Sequence, residues 1–202
     1  MATLNFIYGT MKSGKTLTLL AEAHNFKSHN RNPYLLTAAG DTRSGIGVIR
    51  SRVGITASAQ TFDASEDLYE KIRQSHLENQ IDIVMVDEAQ FLSRDQVFQL
   101  SDVADELGIN VRCFGLRTDF RGELFEGSAA LMALSDHMSE NTGVCASGCV
   151  ANMVLRMGTD GVPMIDGPQL LVGGEETYEA VSRKIWKERM RSAMNNPSRA
   201  VV

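Results

Sequence analysis

The segment that most constrains this chain runs from Gly9 to Thr16 and reads GTMKSGKT, which fits G-x-x-x-x-G-K-[ST] at every fixed position. An apolar LNFIY precedes it, and TLTLLAEAHNF follows with helical spacing. Glycines let the backbone curl so that N–H groups point into one concavity, to which the helix adds its N-terminal N–H groups. Lys15 is suited to contact the outer phosphates of a nucleotide, and the Thr16 hydroxyl to ligate Mg²⁺. The segment predicts a strand–loop–helix unit that binds a triphosphate; a plain glycine turn is the alternative.

Strand-like and helix-like segments alternate over the first two thirds of the chain. Apolar runs that predict strands are NPYLLTAAG, IDIVMVDEAQF and INVRCFGLRTDF. Helical spacing is found in DLYEKIRQSHLENQ and in RDQVFQLSDVADELG, where Gly108 predicts the helix end. Continuous apolar strands separated by helices predict an α/β fold with a largely parallel sheet covered by helices on both faces. Residues 45 to 60 fit no strong pattern and are predicted to be a mobile loop.

The character of the sequence changes after residue 140. The stretch CASGCVANMVLRMGTDGVPMIDGPQLLVGG has short β-like pieces separated by Thr-Asp-Gly and Asp-Gly turns. A helix is predicted from about Glu175 to Ala193, acidic in its first turn and basic in its last. We therefore expect a nucleotide-binding domain over residues 1–140, a small loop-rich β domain with a C-terminal helix over 141–192, and a disordered tail over 193–202.

An acidic pair follows the apolar run IDIVMV, which predicts a buried strand. The segment VMVDEAQF places Asp87 and Glu88 at the carboxyl end of that strand, the edge where ligands bind in an open α/β sheet. Asp87 is expected to hold Mg²⁺ beside Thr16, and Glu88 to deprotonate an attacking hydroxyl. Strands also end in exposed acidic pairs without any function, which is the alternative. With a phosphate-binding loop on the same sheet, the pair indicates phosphoryl transfer.

Composition bounds the classes of partner. A net charge of −5 argues against a broad nucleic-acid surface, and the basic segment SRKIWKERMRS is interpreted as the solvated face of a late helix. No apolar run approaches the roughly 18 residues that a membrane helix needs. Three cysteines do not make a disulfide framework, which favours a reducing cytosol. Two rival functions stay open: a P-loop ATPase acting on nucleic acid, because D-E-A-Q is similar to a helicase motif, and a non-catalytic nucleotide switch.

The chain resembles the thymidine kinases of the type II class, which occur in bacteria, phages, large viruses and animal cytosol. The resemblance rests on GTMKSGKT, DTR at 41 to 43, VDEAQF at 86 to 91, GLRTDFRGELFEGS at 115 to 128 and LLVGGEETY at 170 to 178. These motifs occur in the family's order, and bacterial and phage members are the most similar. The resemblance implies transfer of the ATP γ-phosphate to the 5′-hydroxyl of thymidine to give dTMP, in nucleotide salvage. It also implies a homotetramer, feedback inhibition by dTTP, and a cytoplasmic location in a bacterium, or in a host cell if the gene is phage-encoded.

The resemblance also implies roles for individual residues. The general base is Glu88, Mg²⁺ is held by Thr16 and Asp87, and Asp41 and Arg43 lie near the phosphates and metal. ATP is bound by Gly9, Thr10, Met11, Lys12, Ser13, Gly14, Lys15, Thr16, Asp87, Glu88, Ala89 and Gln90. The nucleoside is contacted by Met11, Phe91, Leu116, Phe120, Phe125, Gln169, Leu170, Leu171, Val172, Gly173 and Tyr178. An aromatic ring can stack on the planar base and Met offers apolar surface near its methyl group, although each apolar residue is also suited to fill the core.

Members of this family commonly carry a structural zinc held by a C-x-x-C pair and a later Cys-x-x-His or Cys-x-x-Cys. Here Cys145 and Cys149 are separated by three residues, and the later positions hold Ser182 and Ile185, neither a usual zinc ligand. Two soft ligands do not close a tetrahedral site. We therefore expect a remnant of the zinc site without structural zinc. A reducing cytosol disfavours a reversible Cys145–Cys149 disulfide.

Overall fold

A computed structural model describes residues 1–40, 45–169 and 178–195, and its centre is a six-stranded sheet. The strands of this sheet are β1 (Leu4–Tyr8), β2 (Pro33–Ala38), β5 (Gln60–Phe62), β6 (Ile83–Val86), β7 (Asn110–Gly115) and β8 (His137–Glu140). They lie in the order β5-β2-β6-β7-β1-β8, and every neighbouring pair is parallel. The predicted parallel α/β fold is confirmed.

Both faces of the sheet are covered, as the continuous apolar strands predict. The helices are α1 (Lys15–Ser28), α2 (Leu68–Glu78), α3 (Arg94–Leu107), α4 (Glu126–Leu134) and α5 (Arg183–Met194). Alternate residues of β6 point to opposite faces. Val84 and Val86 join the apolar cluster that includes α2, α3 and α4, while Ile83 and Met85 join the cluster on α1. A strand buried on both sides cannot alternate apolar and polar residues, which explains the run IVMV.

Local signals fix the ends of α3. The Ser93 side chain accepts a hydrogen bond from the Gln96 backbone N–H, and the Gln96 side chain accepts one from the Ser93 N–H, which forms a capping box. At the other end Gly108 has a φ of 68°, a left-handed conformation that favours glycine and stops the helix. The predicted helix end at Gly108 is confirmed.

The expectation of a mobile loop over residues 45 to 60 is wrong. Strands β3 (Val48–Arg50) and β4 (Thr56–Ser58) pair antiparallel, and β5 then joins the edge of the main sheet. Ile49 is 1% exposed and packs in the apolar cluster on α1, which anchors the hairpin. The Ser51 hydroxyl closes the turn by accepting from the Ile55 N–H at 3.1 Å. Strands of three residues show too little alternation to be recognised in the sequence.

The chain after Asn141 forms the short strands that its turns predict, with a packing of their own. Strands β9 (Gly143–Val144) and β10 (Val150–Ala151) form one hairpin, and β11 (Met153–Arg156) pairs antiparallel with β12 (Tyr178–Val181). Helix α5 packs on β11, and a small apolar cluster lies between them, formed by Met153, Leu155, Val181, Met190 and Trp186. We call Asn141–Gln169 together with Tyr178–Asn195 the small β region. Its status as a separate domain stays a prediction.

The predicted start of the last helix is wrong. Residues Tyr178–Val181 form β12, and α5 begins at Arg183, where the Ser182 hydroxyl caps it by accepting from the Ile185 N–H at 3.4 Å. The first turn of α5 therefore contains no acidic residue, whereas Arg191 lies in the last turn as expected. Pairing with β11, in which Tyr178 lies opposite Arg156, outweighs the local helical spacing. The helix continues to Met194 and ends at Asn195, so the predicted disordered tail from residue 193 begins too early; residues 196–202 lie outside the described residues.

Candidate active site

The phosphate-binding loop lies between β1 and α1, at the carboxyl edge of the sheet. Gly14 precedes the first turn of α1 with a φ of 92°, in the left-handed region. The Lys15 ammonium donates to the carbonyl oxygens of Gly9 at 3.2 Å and Thr10 at 2.9 Å. The Gly9 N–H donates to the Gly115 carbonyl at 3.2 Å, which ties the loop to the end of β7. The predicted strand–loop–helix unit is therefore present, with Lys15 held at the loop.

Asn141 packs against this loop, a contact that no local sequence pattern predicts. Its N–H donates to the Tyr8 carbonyl at 2.7 Å, and its side-chain amide donates to the Thr18 hydroxyl at 3.4 Å. A Cβ added at Gly9 would overlap the Asn141 carbonyl oxygen and come within 2.6 Å of the Ser13 hydroxyl. Gly9 is therefore required here for the close approach of two backbones.

Asp87 lies beside the hydroxyl that its predicted metal role needs. The Thr16 hydroxyl donates to Asp87 Oδ1 at 3.5 Å, and the carboxyl is only 5% exposed. Burial, followed by the charge of Glu88, raises the pKa of Asp87 to about 7, although Lys15 and the Thr16 hydroxyl act in the opposite direction. A buried carboxyl that ionises reluctantly, next to a hydroxyl and a phosphate loop, fits a site for a hard cation such as Mg²⁺ with oxygen ligands.

Glu88 and Gln90 form a connected pair at the end of β6. Glu88 has a φ of 53°, in the left-handed region, and precedes a short 3-10 turn over Ala89–Phe91. The Gln90 amide nitrogen donates to Glu88 Oε2 at 2.5 Å, and its Oε1 accepts from the Leu116 N–H at 2.9 Å. Gln90 is 3% exposed. A buried amide therefore connects the predicted general base to the chain that leaves β7.

The residues predicted on the nucleoside side are distributed around β7 and its exit. Phe91 and Phe125 meet edge to face at 6.3 Å between ring centroids. The Leu116 carbonyl accepts a hydrogen bond from the Ser128 hydroxyl at 2.6 Å. Leu116 also lines a small cleft between the phosphate-binding loop and β11. Other residues that line this cleft are Thr10, Arg117, Asn152 and Val154. Phe120 is buried, and Met11 is half-buried in the loop. Of these residues Leu116 lines the cleft, and the contact of all of them with a nucleoside stays a prediction.

Several predicted residues fall outside the described part of the chain. Asp41 and Arg43, and the covering residues Leu170, Leu171, Val172 and Gly173, lie outside it. Their neighbour Gln169 is described, and its side-chain amide donates to the Leu124 carbonyl at 3.3 Å. Tyr178 is the first residue of β12. The structure thus positions both ends of the predicted covering segment and leaves its role a prediction.

A buried arginine in the small β region was not predicted to be part of the site. Arg156 is 0% exposed, and its guanidinium lies 3.9 Å from the centroid of the Phe120 ring. It donates to the carbonyls of Pro168 at 2.6 Å and Asp166 at 3.4 Å. Gly167, with a φ of 127°, passes so close that an added Cβ would overlap the Arg156 Nη2 atom. Arg156 thus connects Phe120 to the segment that leads to Gln169, and its position in the run MVLR gave no sign of this.

The two cysteines of the predicted zinc remnant lie opposite each other in a tight hairpin. The Cys145 N–H donates to the Cys149 carbonyl at 2.8 Å, and Gly148, with a φ of 79°, makes the bend. The Ser147 hydroxyl lies 2.9 Å from the Cys145 sulfur, and this hydrogen bond lowers the pKa of that thiol. Within residues 1–40, 45–169 and 178–195, no three His, Cys, Asp or Glu side chains group so that they could hold a metal ion. The absence of structural zinc stays a prediction.

Comparison with known proteins decides the family. The sequence model of the family described as "Thymidine kinase" matches residues 2–186. The chain belongs to the thymidine kinase family. Among its relatives, a protein of Jannaschia sp. named "Thymidine kinase" is 47% identical over 188 residues, covering 93% of this chain and 96% of that protein. A protein of the same name from Xanthomonas axonopodis pv. citri is 47% identical over 192 residues, covering 95% of this chain and 92% of that protein.

The resemblance drawn from the motifs is thus confirmed at the level of the family. A third relative, from Photobacterium profundum, is 42% identical over 94% of this chain and 99% of its own length. Among solved structures, the Pif1 helicase from Candida albicans aligns with 69% of this chain and 35% of its own, at a TM-score of 0.42 and 15% identity. In the ranges that the structure describes, no helix is both long and apolar enough to cross a membrane.

Proposed function

We propose that this chain transfers the γ-phosphate of ATP to the 5′-hydroxyl of thymidine, giving dTMP and ADP. The observation that carries the proposal is family membership over residues 2–186 in a chain whose phosphate loop, Asp87 and Glu88 lie together at one edge of the sheet. The nucleic-acid ATPase and the nucleotide switch have no comparable support. Relatives that are aligned along nearly their whole length carry the thymidine kinase name.

The residues divide the reaction between them. The loop from Gly9 to Thr16 binds the phosphates, with Lys15 exchanging its carbonyl partners for phosphate oxygens. Thr16 and Asp87 would hold Mg²⁺, which, when bound, neutralises charge on the transferring phosphoryl group. Glu88 accepts the proton of the 5′-hydroxyl as its oxygen attacks the γ-phosphorus. The bond from the γ-phosphorus to the bridging oxygen breaks, and ADP leaves with the electron pair.

The acceptor is proposed to be chosen by its base. Thymidine and deoxyuridine are expected to react, while deoxycytidine and purine nucleosides are rejected. A site that pairs with one base edge leaves its own polar groups unpaired with the wrong base, and this discriminates by about 10⁴ to 10⁵. Leu116 at the exit of β7 lines the cleft and offers apolar surface, while Phe120 is proposed to stack on the base and residues 169 to 173 to cover it. Efficient phosphorylation of deoxycytidine would count against this choice.

The proposals on oligomeric state and on regulation rest on membership of the thymidine kinase family. We propose a cytoplasmic homotetramer that is inhibited by dTTP and needs neither nucleic acid nor a membrane. Light scattering after size exclusion measures the oligomer: a mass of four chains, about 89 kDa from 22.2 kDa each, is expected. Addition of dTTP to the assay is expected to lower the rate of dTMP formation.

One assay separates the candidate functions. Purified protein is incubated with ATP and Mg²⁺ and with each nucleoside in turn, with and without DNA, and nucleoside monophosphate and free phosphate are measured. Formation of dTMP that depends on thymidine and not on DNA supports the kinase. DNA-stimulated release of phosphate without a nucleoside would instead support the ATPase, and binding of ATP without turnover would support the switch.

A further inference from the structure

Gln90 is buried between two parts of the site that the sequence treats separately. Its amide nitrogen donates to the Glu88 carboxylate at 2.5 Å, and its carbonyl oxygen accepts from the Leu116 N–H at 2.9 Å. A backbone N–H can only donate, so the oxygen of the amide must face Leu116 and the nitrogen must face the carboxylate. The chemistry of its two partners therefore fixes the orientation of this side chain.

Close packing leaves the amide little freedom. A Cβ added at Gly115 would come within 2.9 Å of Gln90 Oε1 and 3.0 Å of its backbone nitrogen. At the other side of the same turn, a Cβ at Gly127 would come within 2.7 Å of the Ala89 carbonyl and 2.6 Å of the Leu92 carbonyl. Only glycine lets both neighbouring segments approach the 3-10 turn this closely.

The base itself begins the same turn. Glu88 has a φ of 53°, a left-handed conformation that residues other than glycine rarely adopt. Such a backbone persists where the surrounding structure holds it, and strain of this kind is concentrated at functional sites. A hydrogen bond from a neutral amide to a carboxylate is charge-assisted, and it fixes the plane of the carboxylate.

We propose that Gln90 is a positioning residue that acts through Glu88. It holds the Glu88 carboxylate in the orientation that accepts the 5′-hydroxyl proton, and it ties that orientation to Leu116 at the nucleoside cleft. Gln90 then serves the chemical step, and not the binding of ATP that the family resemblance implied for it. This inference rests on the proposed kinase function.

The test compares two buried glutamines. Gln90→Met removes the amide at nearly equal length. Gln96→Met is the matched control, because Gln96 is 1% exposed and its amide nitrogen donates to the Asp63 carbonyl at 2.6 Å, away from Glu88. Wild-type dTMP formation is measured first, then kcat and the two KM values of each variant, together with thermal unfolding.

We expect Gln90→Met to lower kcat by about 10- to 100-fold with both KM values changed by less than about threefold, since a misplaced base costs rate and not ground-state binding. Gln96→Met is expected to lower the unfolding temperature with kcat within about twofold. The decisive measurement is the double variant. In a Glu88→Gln background, Gln90→Met should lower kcat by less than about twofold, because it acts only through the base.

Three results would overturn the inference: an unchanged kcat in Gln90→Met, an equal loss of kcat in Gln96→Met, or a further loss of about tenfold in the Glu88→Gln background. If Gln90→Met does not fold, Gln90→Leu replaces it, because it also removes both amide contacts and places a smaller apolar side chain at this buried position. A wild-type protein that makes no dTMP would refute the proposed function itself. The inference would fall with it. If the wild type makes dTMP and Gln90→Met leaves kcat unchanged, the inference is refuted and the proposed function is not.

Discussion

The parallel sheet and the small β region bury their polar side chains in different ways. In the sheet region the buried polar groups that bear on function, Thr10, Asp87 and Gln90, lie beyond the ends of strands, where backbone geometry positions them. Among the described residues of the small β region, the buried polar side chain is Arg156, which lies on β11 of a two-stranded sheet and donates to the carbonyls of a neighbouring segment. The two arrangements suggest different tasks. The sheet edge positions the groups that are proposed to react, whereas Arg156 connects the segment Asp166–Pro168 to the Phe120 ring.

The largest expected effect tests whether the chemistry belongs to the sheet edge. Glu88→Gln should lower kcat by about 10²- to 10⁴-fold, the usual contribution of general-base catalysis, with ATP affinity changed only a few-fold. Steady-state kinetics and ATP titration measure the two quantities, and the unfolding temperature is the control for structure. If Glu88→Gln turns over at close to the wild-type rate, Glu88 is not the general base. The chemistry could then no longer be assigned to the sheet edge as opposed to the small β region.

A matched pair of core substitutions compares the stability of the regions. Leu36 in β2 and Leu155 in β11 are both 0% exposed. Leu36→Ala should reduce the free energy of unfolding by about 3 to 5 kcal/mol, because the large sheet core cannot close around the cavity. Leu155→Ala should cost about 2 kcal/mol, since the small cluster can collapse more easily. Urea unfolding measures both, and equal costs would indicate that the small region is as rigidly packed as the sheet.

Burial of Asp87 has a measurable cost in the protein without metal. Its pKa is raised from 3.8 to about 7 on folding, so the folded state keeps a proton that the unfolded chain releases between those values. The contribution of this carboxyl to stability is therefore most favourable below about pH 4, falls as the pH rises towards 7, and changes no further above it. Asp87→Asn removes this contribution to the pH dependence of the free energy of unfolding.

At pH 7.5 in the presence of a chelator, Asp87→Asn is expected to be more stable than the wild type by on the order of 1 to 3 kcal/mol, and the difference should vanish near pH 4. Urea unfolding of both proteins at several pH values measures it. A difference that does not change with pH would mean that the carboxyl is not kept protonated by its surroundings. The same variant should lose turnover if Asp87 supports Mg²⁺.

Arg156 provides the counterpart in the small β region. Arg156→Met keeps much of the apolar volume but removes the two carbonyl contacts and the charge over Phe120. We expect KM for thymidine to rise by about tenfold, because the variant loses the cation–π contact with Phe120 and the two hydrogen bonds of the guanidinium. KM for ATP should be unchanged. Arg156→Lys should not restore it, because one ammonium cannot reproduce the planar fork. An equal rise in both KM values would show that the effect is not confined to the cover.

How much of this the sequence predicts depends on how far apart the contacting residues lie in the chain. The P-loop, the acidic pair after β6 and the helix end at Gly108 follow from patterns of a few residues. The contact between Gln90 and Leu116 spans 26 positions, and no local spacing announces it. The hairpin before β5 depends on the burial of one side chain, Ile49, and the start of α5 depends on pairing with β11. Tertiary contacts override weak local preferences in both cases.

The smallest expected effect concerns the cysteine hairpin. Elemental analysis of protein purified without chelators should give well under about 0.2 zinc per chain, because two thiolates cannot close a tetrahedral site. Cys149→Ser, at an exposed position, should change the free energy of unfolding by less than about 0.5 kcal/mol. Close to one zinc per chain, lost in this variant, would make the small β region a metal-dependent unit and change its comparison with the sheet.

Trp186 gives the molecule an optical property that its sequence position does not suggest. It is the only tryptophan in the chain, and its indole N–H donates to the Phe120 carbonyl at 2.9 Å. Its ring also lies against Gly122, where an added Cβ would meet it at 3.4 Å. All indole fluorescence of the protein therefore originates from a ring that is hydrogen-bonded to the backbone of Phe120, the residue proposed to stack on the base. A movement of the Phe120 backbone would alter that hydrogen bond, and the emission of this one indole would report the movement without any attached dye.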